Sequence, residues 1–166
     1  MPPIECERKL LIRYPDVARL SEAGAVKSDI TQTYLVSPAG VTDRVRKRVT
    51  GDVTVYTRTK KVRISALSAE EYESDIREED YLSLLQSADP SRTPIHKTRY
   101  VLPIGKYKAE IDLYPFWSRQ AILEVEMEGE EETFTLPSFI EVIRDVTADY
   151  RYKNARLAKD IPAEEV

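Results

Sequence analysis

The 166-residue sequence holds one cysteine and one histidine. A lone Cys6 cannot form an internal disulfide, which suits a reducing compartment and makes the cytoplasm the expected location. We read Cys6 as a small core residue, and His96, beside Lys97 on a strand, as structural or outward-facing rather than a general base. Positive charge is also in short supply: 25 Lys and Arg stand against 29 Asp and Glu, for a formal net charge of −4. That balance argues against a broad basic surface for nucleic acid and leaves room only for anions bound at a local cluster. No stretch approaches the roughly 18 apolar residues of a membrane span, and no cationic segment followed by an apolar run opens the chain. Neither a signal peptide nor a membrane anchor is therefore expected. There is no internal repeat, no low-complexity segment and no motif for a protein nucleophile.

What is present is charge in alternation. With 42% apolar and 33% charged residues, the chain reads as one globular domain over 1–166, long enough to bury about two-thirds of its unfolded surface. The first strand organises it. In Ile4-Glu5-Cys6-Glu7-Arg8-Lys9, an extended backbone puts Glu5, Glu7 and Lys9 on one face, about 6.5–7 Å apart. Two carboxylates that close repel unless a cation lies between them, and a divalent ion with oxygen ligands fills that role.

Along the rest of the chain, Asp16 is a candidate N-cap for a short helix ending near Gly24. Strands are expected over 29–36, 42–49 and 53–61, with a hairpin at Thr50-Gly51-Asp52. Residues 63–69 read as a loop, followed by the acidic run 70–76 and a helix over 78–88. Further strands are expected over 95–102, 106–114 and 121–128. Helical spacing of Phe139, Ile140 and Ile143 points to a helix over 137–146, and a last helix is expected from about 149 to 159. Arg44, Arg46 and Arg48 share one strand face, as do Lys97 and Arg99, Glu110 and Asp112, and Glu124 and Glu126. On the strand over 53–61 the inward set is open between Lys61 with its alternates and Lys60 with its own.

Glu and Lys are depleted on ordinary strand surfaces, yet here one face is almost wholly Glu, Asp, Lys and Arg. A closed barrel of about eight strands has room for such side chains inside, with the amphipathic helices covering the outside. Buried charge costs several kcal/mol per ion by order of magnitude unless paired, so a lumen built this way implies a ligand both anionic and metal-bearing. A polyphosphate with magnesium or manganese meets both conditions.

The ordered set of motifs resembles the CYTH superfamily, the triphosphate tunnel metalloenzymes, and its bacterial inorganic triphosphatase branch in particular. It comprises Glu5-x-Glu7-x-Lys9, Gln32-Thr33-Tyr34-Leu35, Arg44 to Arg48, Tyr56-x-x-Thr59-x-Lys61, Glu71-x-Glu73, Lys97-Thr98-Arg99-Tyr100, Glu110-Ile111-Asp112, Glu124-Val125-Glu126 and Val146 to Asn154. The resemblance implies an α+β fold: a closed eight-stranded antiparallel β-barrel with helices packed outside and a C-terminal helix near one mouth. It implies Mg2+ or Mn2+ held by Glu5, Glu7, Glu73, Asp112, Glu124 and Glu126. It also implies triphosphate gripped by Lys9, Arg44, Arg46, Arg48, Lys61, Lys97 and Arg99, with Lys153 and Arg151 acting from the last helix. It favours Lys61 over Lys60, and leaves open whether Arg44 with Arg46 or Arg46 with Arg48 forms the working pair. Glu5, Glu7, Lys9, Lys153 and Arg151 form the expected catalytic group. The expected reaction is hydrolysis of the terminal phosphate of inorganic triphosphate by metal-activated water, with nucleoside triphosphates as poorer substrates. Adenylate cyclase and thiamine triphosphatase activity are the alternatives within the superfamily, and a non-catalytic polyphosphate or nucleotide sensor is the alternative of another class. The family's cyclases carry a His-Phe pair upstream of the first motif, and only Met1-Pro2-Pro3 precedes it here. One departure stands out: Ala69 takes the place of an Arg often found two positions before Glu71. No nucleic-acid or membrane partner is expected, and homodimerisation is left open.

Overall fold

The computed structural model describes residues 4–65 and 68–166, with the side chain of Glu5 outside that description. Nine strands are found among these residues: β1 (Ile4–Arg13), β2 (Val26–Tyr34), β3 (Val41–Thr50), β4 (Val53–Arg63), β5 (Ser68–Ile76), β6 (Ile95–Ile104), β7 (Tyr107–Leu113), β8 (Gln120–Met127) and β9 (Val142–Asp145). They run in the order β5-β4-β3-β2-β6-β7-β8-β1-β9, every pairing is antiparallel, and β1 also pairs with β5. That extra pairing closes the first eight into a barrel. Closure rests on Ile4, Glu5 and Cys6 opposite Glu70, Ala69 and Ser68. Farther along the same edge β9 takes over, opposite Leu10, Leu11 and Ile12, so the edge that β5 leaves does not remain an open row of donors and acceptors.

Alternation decides what goes inside. Residues directly opposite across a ladder share a face, so the pairs Glu7–Glu126, Lys9–Glu124 and Leu11–Ile122 all point inward. The outward set of β6, β7, β8 and β1 forms a core of Leu10, Ile12, Tyr100, Leu102, Ile111, Leu123 and Val125. It is covered by Leu20 of α1 (Val17–Glu22) and by Phe134, Leu136, Phe139 and Ile140. A second outer cluster, Leu35 and Val45, packs under Tyr81 of α2 (Glu78–Leu84). Next to the charged rows the lumen turns apolar: Leu11, Tyr34, Ile95, Tyr114 and Ile122 pack with Trp117, Val146, Tyr152 and Leu157 and plug one end.

The turns form where the local sequence signals lie. Asp16 Oδ1 accepts from the amides of Ala18 and Arg19, capping α1. Gly51 takes φ +57 in the two-residue connection between Thr50 and Val53, a conformation that costs glycine little.

Two expected helices are corrected. Residues 137–146 contain a turn, Ile140 N–H donating to Pro137 O, and then β9, because an unpaired stretch of β1 was there to receive a strand. The last helix is broken into a 3-10 turn (Tyr150–Tyr152) and α3 (Asn154–Leu157). Between them Lys153 is extended, at φ −72 and ψ 139, and the Tyr152 carbonyl is turned to accept from Lys9 Nζ at 3.1 Å. The expected loop over 63–69 shrinks as well, since β4 runs on to Arg63 and β5 begins at Ser68. No helix is long and apolar enough to cross a membrane among the described residues.

Candidate active site in the barrel lumen

The charged part of the lumen is one cavity of about 210 Å³. Eight cations line it (Lys9, Arg44, Arg46, Arg48, Lys61, Arg63, Arg99 and Lys153), facing six carboxylates (Glu7, Glu71, Glu73, Glu110, Glu124 and Glu126). Among the described residues only Tyr34, Thr42, Asn154 and Ala155 add uncharged groups. A wall of this composition is built for a highly charged anion, because three guanidinium groups along β3 repel one another until something negative lies among them.

Ladder pairing settles the inward choices. Arg44, Arg46 and Arg48 stand opposite Tyr34, Gln32 and Ile30 on one side, and opposite Thr59, Thr57 and Val55 on the other. All three arginines line the cavity, so neither pair is set apart from the third. Lys61 is paired with Thr42 and Glu71 on the inward face, whereas Lys60 is exposed.

Several cations are held in place by neutral groups. Arg46 donates through Nε and a terminal nitrogen to Gln32 Oε1, at 3.2 and 3.0 Å. Burial together with Arg44 and Arg99 pushes Arg46 down to about 9, still a cation near neutral pH. Arg48 Nε donates to Ser28 Oγ at 3.1 Å, and the buried Nε of Arg44 has no hydrogen-bond partner. Lys9 is 4% exposed and lies between the Tyr152 carbonyl and Glu124. Lys153 is pushed down to about 8, first by burial and then by Arg63 and Lys9.

On the acidic side, burial would raise Glu124, but Lys9, Lys97 and Arg99 hold it well below the usual carboxylate range. Glu124 Oε1 lies 3.3 Å from Lys9 Nζ, yet in a direction that makes no hydrogen bond, so the oxygen is buried and orphaned. Glu73 Oε1 accepts from Thr59 Oγ1 at 2.8 Å.

Of the residues picked out in the sequence, Glu7, Lys9, Arg44, Arg46, Arg48, Lys61, Glu73, Arg99, Glu124, Glu126 and Lys153 are gathered on this one cavity. Three are elsewhere. Lys97 and Asp112 point inward but stand beside Ile30 and Ile122, off the cavity, with side chains wholly buried. Arg151 lies on the outside, donating to both oxygens of Asp149 at 2.9 and 2.6 Å, because its turn directs it away from the barrel. The backbone of Glu5 is in β1, while its side chain lies outside the described residues.

Arg63, Glu71 and Glu110 also line the cavity. The acidic two belong to pairs visible in the sequence. Arg63 was hidden by a boundary: two residues past Lys61, it shares the inward face only because β4 extends that far. It stands opposite Ala69, which is fully buried and too small to fill the space.

No protein-family model matches the chain, and no curated protein does. Solved structures do. The inorganic triphosphatase NE1496 is 28% identical over 96% of this chain and 97% of its own, with a TM-score of 0.59. PH1012 from Pyrococcus horikoshii is 16% identical over 76% of this chain and 81% of its own, at a TM-score of 0.57. The putative adenylyl cyclase HpAC1 from Hippeastrum, described as having a dominant triphosphatase activity, is 15% identical over 75% of this chain and 81% of its own, at 0.51. The latter two share the fold alone, whereas NE1496 matches along nearly the whole of both chains. With its closed antiparallel barrel, its charged lumen and these neighbours, the chain resembles the CYTH superfamily and, through NE1496, its bacterial triphosphatase branch.

Proposed function

We propose that the protein hydrolyses the terminal phosphate of triphosphates, with inorganic triphosphate preferred. The observation that carries this reading is the single cavity in which eight cations face six carboxylates. The likeness to an inorganic triphosphatase supports it. The preference rests on the described lining: among the described residues Tyr34 and Ala155 are its only aromatic and aliphatic side chains, and Tyr34 is itself stacked under Arg92. Among these described residues a purine would find no free platform.

The carboxylates fit a hard divalent cation, Mg2+ or Mn2+, by their chemistry: Glu7 and Glu126 are direct ladder partners, Glu124 is adjacent, every donor is oxygen, and Glu124 Oε1 is orphaned. Glu7, Glu124 and Glu126 would hold it, with Glu73 as a further candidate and Glu5 beside them in sequence. Among the described residues no three acidic side chains already stand close enough to hold an ion. When bound, such an ion neutralises phosphate oxygens and lowers the pKa of an attacking water. The chain's own groups do the rest. Arg44, Arg46 and Arg48 from one side, with Lys61 and Arg63 from the next strand, align the phosphates and meet charge as it develops on the leaving oxygen. Lys9, fixed by the Tyr152 carbonyl, and Lys153 close over the same space.

The test is phosphate release from inorganic triphosphate, ATP and thiamine triphosphate, each with magnesium, with manganese and with chelator, while cyclic AMP is assayed on ATP. Chelator-sensitive release, fastest on inorganic triphosphate, is the expected result. Cyclic AMP would move the reading to a cyclase, and tight triphosphate binding without release would move it to a sensor.

A further inference from the structure

Behind the cavity wall lies a buried carboxylate whose every bond goes to a cation. Asp112 is 0% exposed. Its Oδ1 accepts from Arg99 Nε at 2.7 Å and its Oδ2 from a terminal nitrogen of Arg99 at 2.9 Å. The same Oδ2 lies 2.8 Å from Lys97 Nζ. Arg99 is held a third time, by Glu110 at 2.9 Å, so its plane is fixed as it faces the lumen. Lys97 donates onward to Asn154 Oδ1 at 3.5 Å, and that oxygen also accepts from Tyr114 OH at 2.6 Å. Asn154 follows Lys153 directly, in the segment 153–155 that lines the cavity.

We propose that Asp112 is a positioning residue rather than a cation ligand: it aims Arg99 into the cavity and, through Lys97 and Asn154, holds the Lys153 segment against it. The inference deepens the triphosphatase reading and rests on it for the identity of the anion. Both Asp112 oxygens are already committed to Arg99 and Lys97, and a carboxylate so engaged would have to break a charge-assisted bond to reach a metal. A bidentate hold on a guanidinium fixes direction as well as charge, which a point contact does not. Asp112 therefore serves two cations that lie on different elements, Arg99 on β6 and Lys153 ahead of α3.

The decisive measurement is calorimetric affinity for inorganic triphosphate in chelator, so that no metal contributes. The double variant Asp112→Asn with Lys97→Met removes the carboxylate together with its buried lysine partner, so that neither is left unpaired. Loosening Arg99 and Lys153 should then raise Kd by about tenfold or more, the scale of one charge-assisted hydrogen bond. Asn154→Ala releases only the Lys153 branch and should raise Kd by less. The magnesium concentration for half-maximal phosphate release should not move in either variant. An unchanged metal-free Kd in the double variant overturns the proposal, as does a tenfold rise in the magnesium requirement with Kd intact. If circular dichroism shows the double variant unfolded, Asn154→Ala decides: an unchanged Kd there breaks the proposed link to Lys153. A wild-type protein that binds triphosphate but never releases phosphate would sink the hydrolase reading while leaving this one standing.

Discussion

Lys60 and Lys61 are neighbours in the chain and face opposite sides of β4, Lys61 toward the cavity and Lys60 toward solvent. Lys61→Ala should raise KM for inorganic triphosphate by about 10- to 100-fold, the loss of a charge-assisted contact worth about 1.5–3 kcal/mol. Lys60→Ala should change KM by less than about twofold, as surface charges contribute little. Steady-state phosphate release on the two variants checks both, and equal effects would reject the inward assignment. Arg63 allows a sharper test because it acts on Lys153. With Lys153 lowered to about 8, the ammonium is charged below that pH and neutral above it. Metal-free affinity for triphosphate should therefore fall as pH rises from 7 to 9. Removing Arg63 removes a repulsive neighbour, so Arg63→Ala should weaken binding at pH 7 and shift that fall to higher pH. Titration calorimetry over this range reads both effects, and a fall at unchanged pH would show that Arg63 does not reach Lys153.

At the scale of elements, residues 161–166 form a strap over the end of the barrel that carries the plug. Trp117 Nε1 donates to Pro162 O at 3.0 Å, the amides of Ser118 and Arg119 donate to Glu164 Oε1, and Glu165 N–H donates to Gln120 Oε1 at 2.7 Å. Glu165 also accepts from Arg144 at 2.8 Å and from Tyr152 OH. Tyr152 is thus gripped at its ring end by the strap and at its carbonyl by Lys9. Deleting 161–166 should lower stability by about 2–4 kcal/mol, a few net hydrogen bonds of about 1 kcal/mol each, and should raise KM by several-fold as the segment 150–155 loosens. Urea unfolding and steady-state kinetics on the truncated chain measure the two. A loss of stability with KM unchanged would confine the strap to a structural role.

For the molecule as a whole, the crowded charges set how stability responds to pH and ligand. Against burial, Arg99 and Lys97 hold Asp112 well below the usual carboxylate range, and Glu124 is held low in the same way. Groups lowered on folding contribute stability that is present above the unfolded carboxylate pKa and lost as pH falls through the folded one. On the alkaline side the sign is reversed in cause but not in direction. Burial pushes Lys97 down to about 7 despite Asp112, and Lys153 down to about 8. Between those values and the ordinary lysine pKa the unfolded chain binds more protons, so stability should rise with pH. Calorimetric melting temperature, measured without anions, should therefore climb from pH 3 to 9 rather than peak near neutrality. Triphosphate at a fixed concentration a hundred times its Kd at pH 7 supplies about 2.7 kcal/mol there. At about 2–4 °C per kcal/mol for a chain of this size, the melting temperature should rise by about 5–10 °C, most strongly below pH 8, where Lys153 is charged.

The sequence by itself determined the alternation, and with it most of the cavity. Period-two spacing is a property of any extended chain, so Glu7 with Lys9, the three arginines of β3, and Glu124 with Glu126 could be placed on common faces before any partner strand was known. Tertiary structure decided the rest. The end of β4, and so Arg63, depends on how far β3 and β5 run alongside it. Residues 142–145 became a strand because β1 had an edge to fill, although their apolar spacing also suits a helix. Lys97 and Asp112 share the inward face with Arg99 and Glu110, but only the packing of Ile122 and Tyr114 beside them closes that level of the lumen and makes the pair a buried brace. Facing is a local property, and depth along the barrel is set by the stagger between strands, which no single strand carries in its own residues.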